Sequence, residues 1–182
     1  MLTKYNKGII FGIILIILAV IFISGCTDSA NTELTKTFSK GNVSFNYPSD
    51  WFEMPYTDDG IKSDAQVIGF VSPANMECDF SIQKIPSSTI KEVKDMNIQF
   101  DKLNRNATVL NQTTTTVNGL SAYQVLYTYK DPDISDKKMK ESEYFIQKGN
   151  SVYLVEFRVY SANDFDKYAE ISNKMLSTVK IN

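Results

Sequence analysis

Asn118-Gly119 separates two stretches rich in β-branched and aromatic residues, Thr108–Val117 and Leu120–Tyr129. An Asn-Gly pair accepts the two positive-φ positions of a tight hairpin turn, so it commits its flanks to antiparallel pairing. The same punctuation recurs. Gly41-Asn42 divides Thr37–Lys40 from Val43–Tyr47, and Gly149-Asn150 divides Lys138–Lys148 from Ser151–Tyr160. A further pair, Ala65–Ser72 and Glu77–Ile85, joins through Pro73-Ala-Asn75. Val43, Phe45 and Tyr47 alternate as a half-buried strand requires, and Pro48 ends that ladder because it has no N–H to donate.

Two segments carry helical rather than strand periodicity. Thr89 and Glu92 have the spacing of a capping box, and Ile90, Val93, Met96, Phe100 and Leu103 form a stripe expected to pack on the sheet. From about Asn163 to Val179, residues Phe165, Tyr168, Ala169, Ser172, Met175, Leu176 and Val179 fall on one face of a second helix. Hairpins, a helix, more hairpins and a final helix predict an α+β fold, an antiparallel β-sheet flanked by helices.

The N-terminus has a different character. Lys4 and Lys7 precede an uncharged run from Gly8 to Ile23, followed by Ser24-Gly25-Cys26. A basic start, an apolar core and small residues before a cysteine predict a secretory signal of residues 1–26. The segment resembles the lipobox of prokaryotic lipoproteins, which implies cleavage before Cys26 and lipid attachment to it. The alternative is an uncleaved N-terminal helix serving as the anchor. Its run is slightly short of the roughly 20 residues that cross a bilayer comfortably. Both readings put the folded part on the extracytoplasmic side of the cell membrane. Residues 27–36 then form a polar tether, and residues 37–182 the folded domain.

Loss of Lys4 and Lys7 with the signal takes the basic residues from 19 to 17 against 21 acidic ones. A mildly acidic domain argues against a nucleic-acid partner. The chain has no histidine, which removes imidazole base catalysis and the commonest transition-metal ligand. Cys78 shares a strand face with Phe80 and Ile82 and is expected to be a buried small hydrophobe. Nucleophile elbows, phosphate loops and Cys-x-x-Cys pairs are absent. No catalytic residue, metal site or cofactor is expected.

Weaker constellations remain. Asp131, Asp133 and Asp136 crowd one loop, but the EF-hand spacing is missing and Lys137 and Lys138 follow, so a solvated loop is expected. Asp58, Asp59 and Asp64 read the same way. Glu143 and Glu156 could lie on neighbouring strands as a carboxylate pair for glycoside hydrolysis. Asn42, Asn106 and Asn111 each begin an N-glycosylation triplet.

The phrase Val43-Ser-Phe-Asn-Tyr-Pro-Ser-Asp-Trp51 after the Gly-Asn turn resembles the opening of the PsbP-like family, and Leu176-Ser-Thr-Val-Lys-Ile181 resembles its close. The resemblance implies an αβα sandwich and a non-enzymatic, extracytoplasmic or lumenal binding module. Any metal site of the photosynthetic member that uses histidine has no counterpart in this chain. Tyr47 and Trp51 are the candidate ligand contacts, the plainer reading being an aromatic plug over the core. The expected function is therefore a non-catalytic lipoprotein that holds a protein or small molecule at the outer membrane face. A carboxylate-dependent enzyme acting on cell-surface polysaccharide is the alternative.

Overall fold

Among the described residues, ten strands and two helices follow one another in the order the turns dictate. A computed structural model describes residues 33–54, 66–131 and 135–182. The signal segment with Cys26, the greater part of the tether, and Asp58, Asp59, Asp64 and Asp133 lie outside the described residues. Glu33–Asn182 forms one compact unit.

The strands are β1 (Lys36–Lys40), β2 (Val43–Tyr47), β3 (Trp51–Glu53), β4 (Gln66–Pro73), β5 (Cys78–Ile85), β6 (Thr108–Val117), β7 (Leu120–Asp131), β8 (Ser135–Lys148), β9 (Ser151–Val159) and β10 (Lys180–Ile181). The helices are α1 (Ile90–Asn104) and α2 (Phe165–Thr178), the latter entered through a short 3₁₀ turn at Ala162–Asp164. Seven strands make the main sheet in the order β3-β4-β5-β9-β8-β7-β6, and three make a small one, β1-β2-β10. All pairings are antiparallel.

The predicted turns sit where the sequence puts them. Asn118 and Gly119 both have positive φ, 48° and 78°, as a two-residue primed turn requires. Thr89 closes its capping box in full: its hydroxyl accepts from the Glu92 N–H, and the Glu92 carboxylate accepts from the Thr89 N–H at 2.9 Å. Two short strands, β3 and β10, were not expected from the sequence. They span three residues and two residues, too few to show a period of two.

The expected helix-flanked sheet is present in coarse form, as a mostly antiparallel fold with two helices. The faces are covered unequally. On one face Phe80, Ile82, Val155 and Phe157 pack against Phe45 and Phe38 of the small sheet and against Phe165, Ile171 and Met175 at α2. Gly69 sits at a bulge in β4, and a Cβ there would come within 2.9 Å of the Phe38 ring and 3.1 Å of Phe45. A glycine therefore permits this close approach of the two sheets. On the other face α1 alone covers a smaller cluster of Ile85, Val93, Val125, Tyr127, Phe145, Val152 and Leu154.

One expectation needs correction. The stripe Ile90, Val93, Met96, Phe100 and Leu103 does not as a whole face the sheet. Phe100 is 42% and Leu103 75% exposed, whereas α1 buries Val93, Asn97 and Asp101. The reason lies in the strands beneath it.

Candidate functional site

Directly paired residues on neighbouring strands point to the same face of a sheet, so the register fixes what α1 meets. Across β5, β9, β8 and β7, one row reads Asp79, Arg158, Glu141, Tyr127, and the next reads Ser81, Glu156, Glu143, Val125. The third reads Gln83, Leu154, Phe145, Tyr123. The surface thus grades from ionic to apolar along the strands. Successive rows lie about 6.7 Å apart, and helix positions four residues apart lie about 6 Å apart. Every fourth residue of α1 therefore meets the next row. Val93 belongs to the apolar cluster with Phe145 and Leu154, and Asn97 donates its amide to Glu143 Oε1 at 2.6 Å. Asp101 lies four residues further on and pairs with Arg105 at 3.2 Å.

The result is a sealed polar cluster. Glu141, Glu143 and Glu156 are 0%, 1% and 6% exposed, and carboxylate oxygens of the three lie within 4.8 Å of one another. Arg158 forks onto Glu141, with Nε at 3.1 Å and a terminal nitrogen at 3.3 Å, and lies 4.0 Å from Asp79. The Tyr129 hydroxyl also donates to Glu141, and the Tyr160 hydroxyl donates to Asp79 at 2.6 Å. Glu156 Oε2 accepts from Ser81 at 2.7 Å and from the Gln83 amide at 2.8 Å.

Charge follows partnership. Burial pushes the Glu141 carboxyl up, but Arg158, with help from Tyr129 and Arg105, more than offsets this and holds it below the ordinary glutamate range. Glu143 has no guanidinium of its own. Burial, then the neighbouring Glu156 and Asp101, push it well above that range. Burial together with Glu141 pushes Glu156 up to about 7, and burial followed by Glu141 pushes Asp101 up to about 6. Like charges crowded in a dry site disfavour joint ionisation.

The sequence reading places Glu143 and Glu156 on neighbouring strands, and the structure makes them direct partners across β8 and β9. It brings them together beneath a helix and not in an open cleft. Glu141, Arg158, Asn97 and Asp101 were missed, although a signal was present. Glu141 and Arg158 are as symmetric about the Gly149-Asn150 turn as Glu143 and Glu156, and Asn97 and Asp101 continue the Val93 spacing.

Tyr47 and Trp51 are 6% and 3% exposed and lie in the larger core. Tyr47 donates its hydroxyl to Glu53 at 3.0 Å, and Lys36 donates to the Trp51 carbonyl at 2.9 Å. Cys78 is buried, and burial pushes its thiol up, away from reactivity. Asp136 is exposed on β8. Asn106 and Asn111 are exposed, while the Asn42 amide donates to the Tyr153 hydroxyl at 2.7 Å. An open groove of about 500 Å³ lies between α1 and β6, lined by Lys94, Ile98, Lys102, Leu103 and Gln112.

An antiparallel sheet with one helix over an ionic patch and a second helix over a small accessory sheet defines the fold class. A family model for PsbP-like proteins matches residues 8–172, and the chain belongs to that family. Solved structures share the fold at low identity. Cyanobacterial PsbP (CyanoP) from Synechocystis sp. PCC 6803 is 15% identical, with a TM-score of 0.58 over 81% of this chain and 92% of that one. LpqN of Mycobacterium tuberculosis, described as involved in cell envelope biogenesis, is 14% identical, with a TM-score of 0.53 over 77% and 83%. The Saccharomyces cerevisiae Ran-binding protein Mog1p is 10% identical, with a TM-score of 0.54 over 80% and 94%. No curated protein matches the sequence. Among the described residues no helix is long and apolar enough to cross a membrane.

Proposed function

We propose that the chain is a non-catalytic binding or accessory lipoprotein, lipidated on Cys26, whose domain stands at the outer face of the cell membrane and holds a protein or small-molecule ligand there. One observation carries the non-catalytic reading. The carboxylates grouped closely enough for acid–base work, Glu141, Glu143 and Glu156, are sealed beneath α1, where a polysaccharide has no access. An inverting or retaining glycosidase needs its two carboxyls on either side of a bound sugar, and Asn97 occupies the space beside Glu143. The groove between α1 and β6 is a concave surface open to a ligand. Membership of the PsbP-like family supports the non-catalytic reading, and the lipobox-like segment supports the address.

The direct pairing of Glu143 with Glu156 is the observation that favours the enzyme alternative, and one experiment separates the two. Native protein extracted from membranes is weighed intact and assayed on a panel of glycans and general hydrolase substrates. A mass beginning at Cys26 plus lipid, with no turnover, is expected. A mass beginning at Met1 overturns the lipid anchor in favour of the uncleaved helix. Turnover abolished by Glu143→Gln or Glu156→Gln overturns the non-catalytic reading.

A further inference from the structure

Five carboxylates, Asp79, Asp101, Glu141, Glu143 and Glu156, share the space between α1 and the sheet with two guanidiniums, Arg105 and Arg158. The excess of negative charge is concentrated at Glu143 and Glu156, because Arg158 serves Glu141 and Asp79. The same place holds buried oxygens without any hydrogen-bond donor, Glu143 Oε2, Asn97 Oδ1, Asp101 Oδ2 and Gln83 Oε1, and the Tyr127 hydroxyl in the row of Glu141 is likewise without a partner. Asn97 and Gln83 are 2% and 4% exposed, and each reaches the cluster through its amide nitrogen, which donates to Glu143 or to Glu156, so that a half-turn of either amide puts its oxygen toward the same carboxylates. An acceptor with no donor in a dry site is costly. Four in contiguous side chains, all acceptors, call for something positive that binds oxygen.

We propose that this cluster is a buried binding site for one hard divalent cation, with Glu143 and Glu156 as its principal anionic ligands, Glu141 shared between the ion and Arg158, and the amide oxygens of Asn97 and Gln83 completing the shell. The donor set is all oxygen, and the chain offers no histidine, while Cys78 packs with the core on the other face of the sheet. Softer metals therefore find no preferred ligand. Three carboxylates with amide oxygens suit Ca²⁺, which takes six to eight oxygens in flexible geometry, better than Mg²⁺, which demands a near-ideal octahedron. The ion would tie β5, β8, β9 and α1 together, a structural role that leaves the groove and the anchor untouched. Because the ligands come from four elements that meet only in the folded chain, binding and folding are linked.

The test uses full-length protein in detergent micelles, stripped with chelator and held at constant ionic strength. CaCl₂ is titrated while thermal unfolding is followed, and bound calcium is counted after equilibrium dialysis. MnCl₂ serves as a spectroscopic stand-in, since bound Mn²⁺ loses its free six-line resonance. A saturable rise in Tm with a single ion per chain is expected, at affinities no weaker than the ~1 mM end of extracytoplasmic calcium modules. Glu143→Gln, which keeps the shape and removes the charge, should weaken binding at least about tenfold. Should that variant fail to fold, Glu156→Gln gives the same reading, and Asp95→Asn on the exposed side of α1 should leave binding unchanged. No saturable binding, binding undiminished by both glutamine variants, or a Tm that responds equally to NaCl overturns the site in favour of a cluster held by protons alone. None of these outcomes depends on lipidation or turnover, so they stand apart from the test of the proposed function.

Discussion

The two faces of the seven-stranded sheet solve the same burial problem by opposite means. Toward α2 the inward residues are Cys78, Phe80, Ile82, Val155, Phe157 and Val159, and cohesion comes from apolar area and ring contacts such as Phe157 with Phe165 at 5.7 Å. Toward α1 the same strands turn Asp79, Ser81, Gln83, Glu156 and Arg158 inward, and cohesion depends on partners. An apolar face tolerates any neighbour that fills space, and its losses accumulate. A polar face specifies its neighbour, and there the cost of a change depends on what is left unpaired. This difference explains why α1 buries Asn97 and Asp101 while exposing Phe100 and Leu103.

The comparison can be broken in several ways. Phe157→Ala should lower unfolding free energy by about 3–5 kcal/mol in urea titration, and adding Phe165→Ala should lower it further. Arg158→Met leaves Glu141 and Asp79 without their cation, and should cost about 3 kcal/mol or somewhat more. Adding Glu141→Gln should then recover part of the loss. If the second substitution deepens the loss in the polar pair as it does in the aromatic pair, the distinction between the faces fails.

The faces should also separate by pH. The folded-state pKa values of Asp101 and Glu156 are raised, to about 6 and about 7, above their unfolded values. The stability they contribute is fully present below the ordinary carboxylate range and lost as pH rises through 6 and 7. With chelator present, unfolding measured from pH 4 to 8 should show that decline, Glu156→Gln should flatten it, and Phe157→Ala should keep its slope. Gly69→Val tests the tightness of the apolar side. Its side chain meets the Phe38 and Phe45 rings, and a loss of about 1–3 kcal/mol is expected by thermal or urea unfolding. The smallest effect should come from Leu103→Ser, within about 0.5 kcal/mol. A large loss there would show that the apolar stripe of α1 is used after all.

The hairpins were legible because their turns are chemically distinctive: Gly41, Gly119 and Gly149 all have positive φ. The second helix was legible because one apolar stripe faces one apolar surface, ending in buried Met175 and Val179. The first was not, because Phe100 and Leu103 fit the helical period as well as Asn97 and Asp101 do. What decides between them is a row of carboxylates on β8 and β9, at least forty residues away in sequence. The pairing of Glu143 with Glu156 could be anticipated from the Gly149-Asn150 turn between them. Their burial could not, since it depends on which face the helix covers. Trp51 illustrates a further limit: a phrase shared with a family marks a position, and the fold decides whether the ring meets solvent or core.

Residues far from β2 in sequence close the small sheet. Lys180 and Ile181 pair with Ser44 and Val43, and the Asn182 N–H donates to the Asn42 carbonyl at 2.9 Å. A chain made from its N-terminus presents β2 with one open edge until β10, the last of the described strands, has been made. Such distant closure is slow to form and easy to lose. A chain lacking Lys180 and Ile181 would carry an unpaired strand edge, a template for association with other chains, so the protection of β2 rests on a strand made long after it.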